Sequence, residues 1–160
     1  MSERCLSMLL VPAARNGNLE AVEWINNLSQ QYEVSICSRN SMTSGAVADS
    51  IHRAAKAGHL AVIHYAVEHF DAVLDEECMT NAITGEQLDV AKWVFDRSKA
   101  RHLSTDDLVG PAANGNTALI AWAIQNLTLD NEKELERVIG AAAKAGHLET
   151  VKFQVSNACS

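Results

Sequence analysis

The run Ala54-Ala55-Lys56-Ala57-Gly58-His59-Leu60 returns as Ala142-Ala143-Lys144-Ala145-Gly146-His147-Leu148, and looser versions of it occur three more times. Laid on Gly17, Gly58, Gly85, Gly115 and Gly146, the five segments share two columns. An alanine stands three residues before each glycine: Ala14, Ala55, Ala82, Ala112 and Ala143. An aromatic stands seven residues after four of them, as Trp24, Tyr65, Trp122 and Phe153. In the third segment Trp93 comes eight after Gly85, which implies a one-residue insertion near Glu86 or Gln87. Self-similarity of this kind marks a repeat architecture and decides the fold before any local propensity does.

Each segment reads as helix, tight turn, helix. Glycine at the junction accepts the backbone conformation that ends a helix, and the alanines before it let a neighbouring helix come close. After the glycine, apolar residues recur at helical spacing, as in Leu19, Val22 and Ile25, or Leu60, Ile63 and Ala66. Seven before it the residue is apolar every time: Leu10, Ile51, Cys78, Leu108 and Ile139. A single helix pair cannot bury both faces, whereas stacked pairs form one continuous core. The expectation is an all-α fold: an α-solenoid of about five stacked helix-turn-helix repeats, one domain over residues 1–160, with two helices per repeat. Leu19, Leu60 and Leu148 share the column two after glycine and are expected to be buried between repeats. The segment Asn26 to Ser50 is longer than the other connectors and holds either a loop or a hairpin over Tyr32 to Ser38. Pro111 falls inside a first helix, where a continuous helix would lose about 3 kcal/mol, so repeat four is expected to be the weak one.

The pattern Ala-Ala-x-x-Gly-His-Leu-x-x-Val, approached at Ala54 to Val62 and seen in Ala142 to Val151, resembles the second half of an ankyrin repeat. Ile51-His52 falls where that family commonly has Leu-His. The resemblance runs from about Leu9 to Phe153, although the family's Thr-Pro-Leu-His opening is otherwise absent. The glycine spacings of 41, 27, 30 and 31 depart from the usual ~33. What the resemblance implies is a protein-binding scaffold whose β-hairpin tips are trimmed or missing. It also implies that His59 and His147, directly after their glycines, tie the turns, as Asn18 and Asn116 do in the same slot.

A net charge of −7 gives no electrostatic footprint for nucleic acid, and no apolar stretch approaches the ~20 residues that cross a bilayer. Met1 to Arg4 lacks the positive region of a secretion signal. Cys5, Cys37, Cys78 and Cys159 are too widely spaced for a zinc or dithiol motif and are read as reduced thiols of a cytoplasmic protein, secretion being the alternative.

No nucleophile elbow, phosphate loop or metalloprotease motif occurs. His59, His64 and His69 are spaced five apart, which spreads them around a helix, and His64 with Glu68 makes only two ligands. Neither an enzyme, a metal nor a cofactor is expected. Trp24, Trp93 and Trp122, sharing one column, are read as core packing. The one candidate site is acidic. Eight and nine residues before the glycines stand Asp49, Glu76, Glu77, Asp106 and Asp107, with Arg53 beside them. Two readings remain open. The acids favour helix starts, Ser104 to Asp107 resembling a capping box, or they form a rim that steers a basic protein partner. The functional expectation is a monomeric, non-enzymatic protein-binding scaffold. The alternatives are a structural segment of a larger protein and a secreted effector that acts by binding.

Overall fold

The computed structural model describes residues 3–31, 41–130 and 135–152. The chain is mostly helical, and its helices come in pairs. They are α1 (Glu3–Arg15) with α2 (Leu19–Gln31), α3 (Ser41–Ala57) with α4 (Leu60–His69), and α5 (Glu76–Thr84) with α6 (Leu88–Arg97). A 3-10 turn (Thr105–Leu108) leads into α7 (Val109–Ala113), which pairs with α8 (Thr117–Asn126). Last comes α9 (Leu135–Ala145), followed by a helical stretch at 148–152. The first helices pack on one another in chain order, α1 on α3, α3 on α5, α5 on the 3-10 turn and α7, and α7 on α9. One hydrophobic cluster runs through all of them, from Leu10 to Ala142.

The turn between paired helices is closed the same way five times. In the second pair the His59 N–H donates to Ala54 O at 2.9 Å and the Gly58 N–H to Ala55 O at 3.2 Å. These two bonds satisfy carbonyls that a helix end leaves open, and they need a left-handed residue between them. Gly17, Gly58, Gly115 and Gly146 supply it with φ from 68° to 85°. In the third pair the equivalent bonds are Gln87 N–H to Ala82 O and Glu86 N–H to Ile83 O, so the left-handed residue is Glu86, at φ 62°.

This corrects the sequence alignment. No residue is inserted in the third unit. Glu86 stands in the glycine column, Trp93 then follows seven residues later like the other aromatics, and Ile83, not Ala82, occupies the small-residue column. Gly85 is an ordinary right-handed helix end (φ −81°), required because a β-carbon there would collide with the backbone carbonyl of Lys56.

Other expectations are also revised. The residues two after each turn residue begin the second helices, at the margin of the core. Leu19 and Leu60 are accordingly half-buried and Leu148 is 60% exposed. The buried columns of the second helix lie five and eight after the turn residue, as Val22 and Ile25, Ile63 and Ala66, Ala91 and Val94, Ile120 and Ala123. Asn26 to Gln31 and Ser41 to Ser50 are helical, while the expected hairpin over Tyr32 to Ser38 lies outside the described residues. Pro111 interrupts no helix. The 3-10 turn ends at Leu108 and a new helix starts at Val109, so Pro111 lies in the first turn, where its missing N–H leaves no bond unmade. Among the described residues the only strands are two-residue pieces, β1 (His102–Leu103) and β2 (Thr128–Leu129), paired in parallel. They join the connectors that follow α6 and α8.

Candidate functional site

With the register corrected, Asp49, Glu77 and Asp106 share the position nine before the turn residue, and Arg137 holds it in the last unit. Glu76 stands one residue earlier in the third unit and Asp107 one later in the fourth. The five acids are thus one column with two outliers.

Each acid of that column has a cationic or imidazole neighbour within the chain. Asp49 accepts both 2.9 Å and 3.0 Å bonds from Arg53 Nε one helical turn on. Asp106 meets Arg137 Nη1 at 2.6 Å, linking the fourth unit to the fifth. Glu77 lies 3.6 Å from Nδ1 of His52, whose Nε2 is 3.0 Å from Asp75 Oδ1. His52 is buried between two carboxylates of the following unit. Glu76 is exposed at the start of α5. It lines an open depression with Leu74, Asp75, Glu77, Lys99 and Ala100.

The other reading also has support, since Glu76 and Glu77 lie in the first turn of α5 and Asp106 and Asp107 in the 3-10 turn, where the helix dipole favours acids, although the side-chain cap itself is made by another residue. Asp75 caps α5 by accepting from the Cys78 N–H at 2.9 Å. Asp49 sits well inside α3 and caps nothing. Ser104 makes no capping bond. Instead its hydroxyl donates to Asp130 at 3.1 Å, while Thr105 donates its N–H (2.8 Å) and hydroxyl (3.0 Å) to the other Asp130 oxygen. The start of the fourth unit is therefore held by a carboxylate from the next connector. Half-buried Asp107 has its carboxyl pushed above the usual range by burial, then by the charges of Asp106 and Asp130. Burial and then the Asp75 charge push the Cys78 thiol up to about 12, so it stays protonated.

No protein-family model matches the chain, and no curated protein matches it either.

The residue after each turn residue reaches back over the preceding turn. The His59 ring covers the face of Gly17, Gln87 covers Gly58, and His147 covers Gly115 while meeting Ala113 O at 2.9 Å. Asn116 donates to the Glu86 carboxylate at 3.3 Å, and Asn114 bonds the same group. The histidines thus tie successive turns together, which is more than closing their own.

In the aromatic column Tyr65, Trp93 and Trp122 are half-buried and pack against the core at its margin, where each also meets the neighbouring unit. Asn26 donates to Tyr65 Oη at 3.0 Å, the His64 ring lies 5.8 Å from Trp93, and Phe95 meets Trp122 edge-on at 5.6 Å. Arg97 lies over Trp93 and Arg101 over Phe95. Trp24 is 56% exposed. His64 also pairs with Glu68 at 3.3 Å and His69 stacks on Tyr65, and among the described residues no three potential metal ligands converge. No described helix is long and apolar enough to cross a membrane.

Proposed function

We propose that the chain is a non-enzymatic scaffold of ankyrin-repeat type, an α-solenoid that works in the cytoplasm by binding another protein. The observation that carries this reading is the turn ladder, in which the residue after every turn rests on the turn before. Such coupling holds consecutive units at fixed spacing, and a fixed array of helix edges is a surface on which an extended partner can be matched unit by unit.

The proposed contact is the edge bearing Asp49, Arg53, Glu76, Glu77, Asp106 and Asp107, and the partner is a basic segment. The chain's own ion pairs there do not close the edge, because exposed pairs of this kind contribute only about 0–1 kcal/mol and a partner's lysine or arginine can exchange into them. Rim charges act on the rate of encounter and are screened by salt, over about 8 Å at physiological strength.

The test is a selection from a displayed random peptide library, followed by association kinetics of the best binder on a variant with Asn or Gln at all five acids. Slower association and a flatter salt dependence are expected, with helical content unchanged. If only the melting temperature moves, the acids serve the fold and this edge is not the contact.

A further inference from the structure

Four internal junctions show what each column of a unit meets. The residue after the turn rests on the preceding turn residue: His59 on Gly17, Gln87 on Gly58, Asn116 on Glu86, His147 on Gly115. The aromatic seven after the turn meets the second helix of the preceding unit, as Tyr65 meets Asn26, Trp93 meets His64, and Trp122 meets Phe95. The residue eight before the turn is buried as Ser50, Cys78 and Val138 and half-buried as Asp107. The residue three before it is fully buried as Ala14, Ala55, Ile83 and Ala112.

Among the described residues these columns are open in the first and the last unit. In the first unit Leu9, Asn18 and Trp24 hold the backward-facing positions, and all three are exposed. In the last unit Ala143 is exposed, as is Leu148, whose counterpart Thr117 is hydrogen-bonded to Thr150 of the next unit at 2.6 Å. Among the described residues nothing comes within 4 Å of the face of Gly146 that the other turns have covered. Terminal units of a stack are ordinarily polar on the outside, since bare apolar ends invite association. Here the first and the last described units carry apolar side chains in positions that pair elsewhere in the chain.

We propose that the occupant of these faces is a second copy of the chain stacked head to tail, in place of the monomer expected from the sequence. Asn18 of one copy then rests on Gly146 of the other, Leu9 lies against Ala143, and Trp24 against the helical stretch 148–152. The argument for this occupant is continuity: the contact repeats a junction whose turn contact the chain already makes four times and whose aromatic contact it makes three times. Because the two faces differ, such a contact does not close on itself as a two-fold dimer, and assembly continues as an open series.

The test uses sedimentation velocity of the full chain from about 1 µM to about 1 mM, the span from firm to marginal association. Trp24→Lys and Ala143→Arg, both at exposed positions, each remove one face, with circular dichroism confirming an unchanged fold. The wild type is expected to gain mass stepwise with concentration. Each variant alone should remain a monomer, and an equimolar mixture should stop at a one-to-one dimer through the two intact faces. A wild type that stays monomeric throughout overturns the proposal, as does assembly that either variant leaves intact, or a mixture that fails to pair.

Discussion

At φ 62° the backbone of Glu86 lies where a side chain with a β-carbon costs roughly 1–2 kcal/mol. The position tolerates it because the Glu86 carboxylate accepts from Asn114 and Asn116 of the next turn, a contact glycine cannot make. The other turn residues have no such compensation. Gly17→Ala should lose about 1–2 kcal/mol from the backbone alone, and more from collision with the His59 ring. Adding His59→Ala should recover only the collision part. Urea denaturation of the two variants measures both, and equal stability of Gly17→Ala and wild type would show that the turn is not left-handed. Asp107 tests the fold differently. Its raised pKa means that the folded state holds the proton more tightly than the unfolded chain. It therefore favours folding below the unfolded value of about 3.9 and loses that advantage as pH rises through the higher folded value. Asp107→Asn should melt higher than wild type at pH 7, and the gap should close as the pH falls below about 4. A gap that widens on acidification contradicts the assignment.

Among the elements, the second helices show best what each column contributes. Truncating the fully buried Ile63 or Ile120 to alanine should cost ~2–5 kcal/mol. Leu148→Ala, at an exposed site, should stay within ~0.5 kcal/mol. Leu60→Ala should fall between, and chemical denaturation of the series orders the columns. Comparable losses at Leu148 and Ile63 would mean that the helix is rotated. The helix pairs and their turns were legible because glycine and alanine mark places where the backbone has little choice. The register of the third pair was not, since the alignment trusted Gly85 and read Glu86, a residue seldom left-handed, as an insertion. The leucine column, and Trp24 among the tryptophans, were misplaced for a related reason. Periodicity finds the apolar stripe of a helix but not its centre, and large side chains at the stripe's margin can pack against the next unit while staying half in water. The recurrence of the acids is a feature of the sequence itself, whereas the partners of Glu77 and Asp106, His52 and Arg137, come from other units and leave no local signal.

At the scale of the whole molecule, every substantial contact among the described residues joins elements of the same pair or of adjacent pairs, and the widest hydrogen bond described between side chains, Asn26 to Tyr65, spans 39 residues. Topologies of this kind ask little loop closure of the chain and fold quickly. The nearest-neighbour pattern also means that the head-to-tail contact proposed above adds no new kind of interface, only another instance of the existing one. The turn ladder has a direction, and that direction matters during synthesis. Each reaching side chain (His59, Gln87, Asn116, His147) belongs to the later unit and its seat to the earlier one. A ribosome delivering the chain N-terminus first therefore always presents a finished platform before the residue that must land on it. Along this ladder assembly can keep pace with translation at ~5–20 residues per second, each landing residue finding its seat already made.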